Sequence, residues 1–120
     1  MQQLCFFETS ESPVWKQANE DHQKSRVAML DVIKVFCYYA KKQNGKNSKM
    51  YYKHFTDLSY KMSGYNPKIW QDSKTLKKLS NIEKMITQLI REGMGIDKEY
   101  HAIYDNCKTM LKIMRELLKY

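Results

Sequence analysis

Apolar side chains recur along this chain at steps of three and four residues, the spacing that lines one face of an α-helix. Trp15, Ala18, His22, Met29, Ile33, Phe36, Cys37 and Ala40 form the first such stripe, with no Gly or Pro between Pro13 and Lys42. Ser12 suits the N-cap and Pro13 the first helical position, where the missing N–H costs nothing. One long helix, or two with a break near Gln23 to Arg26, satisfies the pattern. The segment QNGKNS, Gln43 to Ser48, ends it, with Gly45 suited to a left-handed C-terminal cap and Ser48 to the next N-cap.

Tyr51, Phe55, Leu58 and Met62 define the buried face of a second helix from about Lys49 to Met62. On a wheel of about 100° per residue, Lys49, Lys53 and Tyr60 fall nearly opposite that stripe. SGYNPKIWQDS, Ser63 to Ser73, reads as a loop with one helical turn around Ile69 and Trp70, and Trp70 is expected to plug the core from it. Leu76, Leu79, Ile82, Ile86, Leu89 and Ile90 predict a third helix that stops at Gly93, Met94 and Gly95. Asp97 is then placed to cap a fourth, carrying Tyr100, Ile103, Tyr104, Cys107, Leu111, Met114 and Leu118. QQLCFF, residues 2 to 7, reads as a short strand or extended arm. Short connections between amphipathic helices favour antiparallel neighbours. The expectation is an all-α fold, a compact helical bundle of four to five helices with a short extended N-terminal arm, formed as one domain over residues 1 to 120.

Composition agrees with a folded chain. Hydrophobic residues make up 42% and charged residues 28%, with only four Gly and two Pro, far from the composition of a disordered segment. Cys5, Cys37 and Cys107 are odd in number and widely spaced, and none has a CxxC or Cys/His partner. They read as reduced thiols, two in core positions, with neither a disulfide framework nor a zinc site. No stretch approaches the roughly 20 apolar residues that span a bilayer, and the N-terminus lacks the plan of a signal peptide. A protein of the cytoplasm, away from membranes and not exported by a standard signal, is the expectation.

The net charge of +8 is concentrated. Residues 1 to 40 carry four basic and five acidic side chains, residues 41 to 80 carry ten and two, and residues 81 to 120 carry seven and six. The excess therefore lies between Lys41 and Lys78, among aromatic residues. A local basic surface attracts phosphate backbones, anionic lipid or an acidic protein face, or serves only as a solvated face. Its ten cations are all lysine, which suits diffuse attraction better than bidentate recognition of bases or phosphates. Lys41, Lys42, Lys46, Lys49, Lys53, Tyr60 and Lys61 are the candidate binding residues for nucleic acid or a partner, with Tyr52 or Tyr60 available for stacking. The outline of a helix-turn-helix is present around QNGKNS, but Met50, Tyr51 and Tyr52 occupy the turn that would read DNA; a helical hairpin explains it equally well.

No nucleophile–base pair, paired carboxylates, phosphate loop or metal-ligand spacing is visible, and His22, His54 and His101 read as isolated surface or boundary residues. The expectation is a non-catalytic protein without cofactor or metal.

NSKMYYKHFTDLSYKM, followed by an isoleucine-rich helix, an EGM turn and a Tyr-containing final helix, resembles the helical C-terminal module of phage-encoded regulatory and antirepressor-like proteins. The resemblance covers about Ser25 to Lys112. In such proteins the module commonly follows a separate DNA-binding domain. The resemblance implies a phage or prophage protein whose partner is a repressor or another host or phage factor. Direct DNA or RNA binding, inhibition of a host defence effector, and homo-oligomerisation stand as rivals. The basic charge speaks against mimicry of nucleic acid by such an inhibitor.

Overall fold

The computed structural model describes residues 8–117, which fold into four helices. They are α1 (Pro13–Lys42), α2 (Met50–Ser63), α3 (Ser73–Gly95) and α4 (Tyr100–Leu117). The all-α bundle expected from the periodicity is observed, with four helices. The arm expected over residues 2–7, Cys5 and Leu118 lie outside the described residues.

α1 runs unbroken for 30 residues, about 45 Å at 1.5 Å per residue. Ser12 is its N-cap position and Pro13 its first residue, but the Ser12 hydroxyl accepts the Thr9 N–H at 3.0 Å rather than a helical N–H. α1 packs most extensively on α3, which is not its neighbour in sequence. The pairings Trp15 with Gln71, Ser25 with Glu83 and Gln43 with Lys98 show that these two helices run parallel. α2 and α4 return antiparallel to them, as the short connections predict.

Four helix ends depart from the sequence expectation, three of them for one physical reason. Beyond α1, the left-handed residue is Asn44 (φ 64°), not Gly45. The Gly45 N–H reaches back to the Ala40 carbonyl at 2.9 Å and the Asn44 N–H to the Lys41 carbonyl at 3.0 Å, which satisfies the orphan carbonyls of the last turn. Gly45 is needed for space: a Cβ there would lie 2.7 Å from the Ala40 carbonyl oxygen and 3.0 Å from the Tyr100 ring. α3 ends in the same way. Asp97 (φ 56°) is the left-handed residue, with Lys98 N–H on the Gly93 carbonyl at 3.0 Å and Asp97 N–H on the Met94 carbonyl at 3.1 Å. Gly93 thus lies within α3, and a Cβ on it would meet Ile103 Cγ1 at 2.6 Å. Asn and Asp tolerate the left-handed region, leaving each glycine to close contact. Asp97 is consequently not the cap of α4; Glu99 accepts the His101 and Ala102 N–H groups at 3.1 and 3.2 Å. At α2 the N-cap position falls on Lys49 rather than Ser48.

The core is aromatic where all four helices meet. Phe36 is fully buried and edge-on to Tyr51 and Phe55 at centroid distances of 5.1 and 5.4 Å; Tyr104 lies edge-on to Phe55 at 5.0 Å. Cys37 and Cys107 are buried free thiols. Burial raises the Cys37 thiol above its ordinary value and pushes that of Cys107 up to about 12. Among the described residues, no helix is long and apolar enough to cross a membrane.

Candidate functional site

The helical hairpin distributes the lysines differently from a single basic stretch of sequence. Lys41 and Lys42 end α1, Lys46 and Lys49 lie in the following turns, and Lys53 sits one turn into α2. These five share a corner of the bundle, and all are exposed. Lys61 is twelve residues beyond Lys49, about 18 Å along the helix axis, and belongs to the opposite end. Lys68, Lys74, Lys77 and Lys78, in the α2–α3 connection and the first turns of α3, lie at that end too. The excess charge of the middle third is therefore split between the two ends of α2.

At the corner only Lys53 has a carboxylate partner among the described residues, Asp57 at 3.0 Å. Beside these lysines stand exposed apolar side chains, Val35, Tyr38 and Met50. Tyr38 precedes Lys41 and Lys42 by three and four residues and follows Val35 by three, so these are neighbours on one face of α1. Tyr52 closes this surface from α2. Its phenol is held above the ordinary value by burial first, then by Cys37, the Tyr38 phenol and Asp31, all on α1.

Neither tyrosine considered for stacking presents a free face. Tyr52 is half-buried against the core. Tyr60, expected outward with the lysines, is half-buried against α1: its hydroxyl accepts a hydrogen bond from Arg26 Nη1 at 2.7 Å, its ring packs on Tyr65 at 4.9 Å, and the guanidinium carbon lies 5.7 Å from its centroid. The helical wheel placed it correctly opposite α2's main stripe. The length of α1, which passes along that side, supplies the cover.

Sequence reasoning missed the most unusual group of polar residues. His22 is buried, not a boundary residue, and its Nδ1 lies 2.9 Å from Glu83 Oε1 on α3; Ser25 Oγ donates to the same oxygen at 2.7 Å. Glu83 is 0% exposed, and its Oε2 has no hydrogen-bond partner among the described residues. The carboxylate thus stands between serine and histidine. A nucleophilic relay needs the histidine in the middle, within reach of the hydroxyl proton. This order instead suits a buried carboxylate held by two donors, tying α1 to α3. No local spacing signals it, because 61 residues separate the partners.

Trp70 corrects a second expectation. It is 50% exposed and stacks on Trp15 at 5.9 Å, while Trp15 Nε1 donates to the Gln71 carbonyl at 2.7 Å. It covers the start of α1 from outside, and the connection carrying it makes a single turn, the Ile69 N–H on the Asn66 carbonyl at 3.3 Å, without forming a helix. His54 and His101 are exposed. Among the described residues, no group of three or more His, Cys, Asp or Glu side chains is placed to hold a metal ion.

Comparison with family models, with curated proteins and with solved structures finds no match to this chain.

Proposed function

We propose that this chain is a non-catalytic, phage-type regulatory binding module that acts through protein contacts. Its docking surface is the corner between α1 and α2, and its partner is a repressor or another host or phage factor. The observation that carries the reading is the interleaving of exposed Val35, Tyr38 and Met50 with Lys41, Lys42, Lys46 and Lys49. Apolar area with a cationic surround suits a protein face that is itself apolar and acid-rimmed. A phosphate backbone makes use of the lysines and not of the apolar area. Tyr52 and Tyr60, the two tyrosines expected to stack on bases, are engaged within the bundle, which counts against that use of them.

The test compares three proteins: wild type, a Tyr38→Glu/Met50→Glu variant, and a Lys46→Glu/Lys49→Glu/Lys53→Glu variant. Each is tagged, expressed in prophage-bearing cells and purified with whatever it retains; each is also titrated with labelled duplex and single-stranded nucleic acid across a salt series. The reading expects a stoichiometric protein partner on the wild type that both variants lose, and no nucleic-acid binding at physiological salt. Nucleic-acid binding that weakens steeply with salt, disappears in the lysine variant and survives Tyr38→Glu/Met50→Glu would replace it with the direct-binding rival.

A further inference from the structure

We propose that the opposite end of the bundle carries a second docking site, an apolar groove with a cationic rim that takes an acidic amphipathic helix from a protein partner. The groove has a volume of about 420 Å³ and a floor of Met62, Ile82, Leu111 and Met114, with Lys78 and Arg115 at its edges. It exists because α2 is short. That helix ends at Gly64 in the left-handed conformation, while α4 continues alongside the first half of α3. Next to the groove on α4, Met110, Ile113 and Leu117 are 37%, 48% and 64% exposed, and Met114 joins that row to the groove floor.

The shape and the charge both indicate the occupant. Met110, Ile113, Met114 and Leu117 are spaced three, four and seven residues apart, which offers another helix a ridge against which to lay its own stripe. Methionines at the floor adapt to the side chains that enter. Lys78 and Arg115 line the groove, and at this end of the bundle cations outnumber carboxylates. Lys61, Lys68, Lys74, Lys77 and Lys78 gather at this end with Arg115, and none forms an ion pair among the described residues.

The carboxylates at this end, Asp72, Glu8 and, beside Arg115, Glu116, are fewer than the cations. Asp72 accepts the Thr75 N–H at 2.9 Å, Glu8 accepts the N–H and hydroxyl of Ser73, and Glu83 is buried with His22 and Ser25. A second copy of this chain would bring the same cations into opposition, so self-association through the groove is disfavoured. Phosphate ligands would satisfy the rim but leave the floor wet. An acidic helix with one apolar stripe satisfies both.

The site is separate from the lysine corner, and methionine methyl groups can tell the two apart. With 13C-methyl methionine, Met62 and Met114 report the groove and Met50 the corner. The probe is a stapled synthetic helix with Leu at i, i+3, i+4 and i+7 and Glu on its other faces. Its controls are the same peptide with Lys for Glu and an acidic peptide with the leucines scrambled. The expected result is movement of Met62 and Met114 with the acidic amphipathic peptide only, while Met50 stays in place. Lys78→Glu/Arg115→Glu should weaken binding about tenfold with the free protein's spectrum retained, and Met114→Glu should abolish it.

The proposal falls if Met62 and Met114 do not move, or if they move equally with either control. It falls also if they shift with protein concentration alone, alongside a dimer in sedimentation that Met114→Glu dissolves, since that outcome names a second copy. Each of these outcomes leaves the corner reading untouched, because Met50 reports it independently.

Discussion

The two halves of α1 are held to the bundle by different chemistry. The second half enters an aromatic core, where Phe36 meets Tyr51 and Phe55, and Tyr104 adds α4. The first half meets α3 through His22, Ser25 and Glu83, with the Trp15–Trp70 stack outside. Aromatic packing is large in area and tolerant of small shifts. A buried carboxylate with two donors is exacting in position and contributes little net stability, because desolvation offsets most of its attraction. The contrast suggests a division in which one half supplies stability and the other fixes the register of α1 against α3.

The sharpest way to break that contrast is to truncate its strongest member. Phe36→Ala is expected to lose about 3–5 kcal/mol, read as a fall in the urea midpoint with the slope unchanged. A loss below 1 kcal/mol would mean that the aromatic half is not the main source of stability.

The polar half should respond differently to single and paired changes. His22→Leu leaves Glu83 with Ser25 alone, and the poorly satisfied buried carboxylate is expected to cost about 1–3 kcal/mol. Adding Glu83→Leu should return most of the loss, because the Ser25 hydroxyl retains the His22 backbone carbonyl, 3.0 Å away, as an acceptor. The two tryptophans of the chain both lie at this end. Their fluorescence in the single variant should therefore report loosening before far-ultraviolet circular dichroism reports loss of helix. Additive losses in the double variant would show that the network is a net stabiliser and not a register device.

Gly93 tests how tightly the aromatic end is closed. Gly93→Ala would place its Cβ against Ile103. The crowding outweighs the gain in helix propensity, for an expected net loss of about 1–2 kcal/mol in thermal or urea unfolding. A gain in stability would show that α4 can move away from α3.

These residues also mark how far the sequence is legible. Met29, Ile33, Phe36 and Ala40, Tyr51 and Phe55, Leu79, Ile86 and Ile90, and Ile103 and Cys107 are all buried where helical periodicity places them, because that period is a local property. Partnerships across the fold leave no local trace. His22 finds Glu83 only because α1 and α3 run parallel, Tyr60 is covered only because α1 is long, and the basic stretch divides only because α2 separates its ends. Gly45 and Gly93 lie close to helix ends, but the need for space is set at Gly45 by the Ala40 carbonyl oxygen and Tyr100 and at Gly93 by Ile103, the last two supplied by α4.

The smallest effect separates local from tertiary support at the polar end. Asp72 caps α3 by accepting the Thr75 N–H, and the hydrogen bonds to Thr75 are the leading cause of its lowered carboxyl pKa. Because the folded value is depressed, the cap's contribution is present above the unfolded value and is lost as pH falls through the folded one. Asp72→Ala should therefore cost about 1 kcal/mol at neutral pH. The gap between the two proteins should narrow below about pH 4, where the unfolded carboxyl takes up its proton. Glu8 also binds the start of α3, through the N–H and hydroxyl of Ser73, so Glu8→Gln should weaken the same helix end without removing the Asp72 cap. Urea unfolding of both single variants and the double, at pH 7 and pH 3, separates the contributions. If the Asp72→Ala gap does not change with pH, the side chain acts there by packing and not as a charged cap.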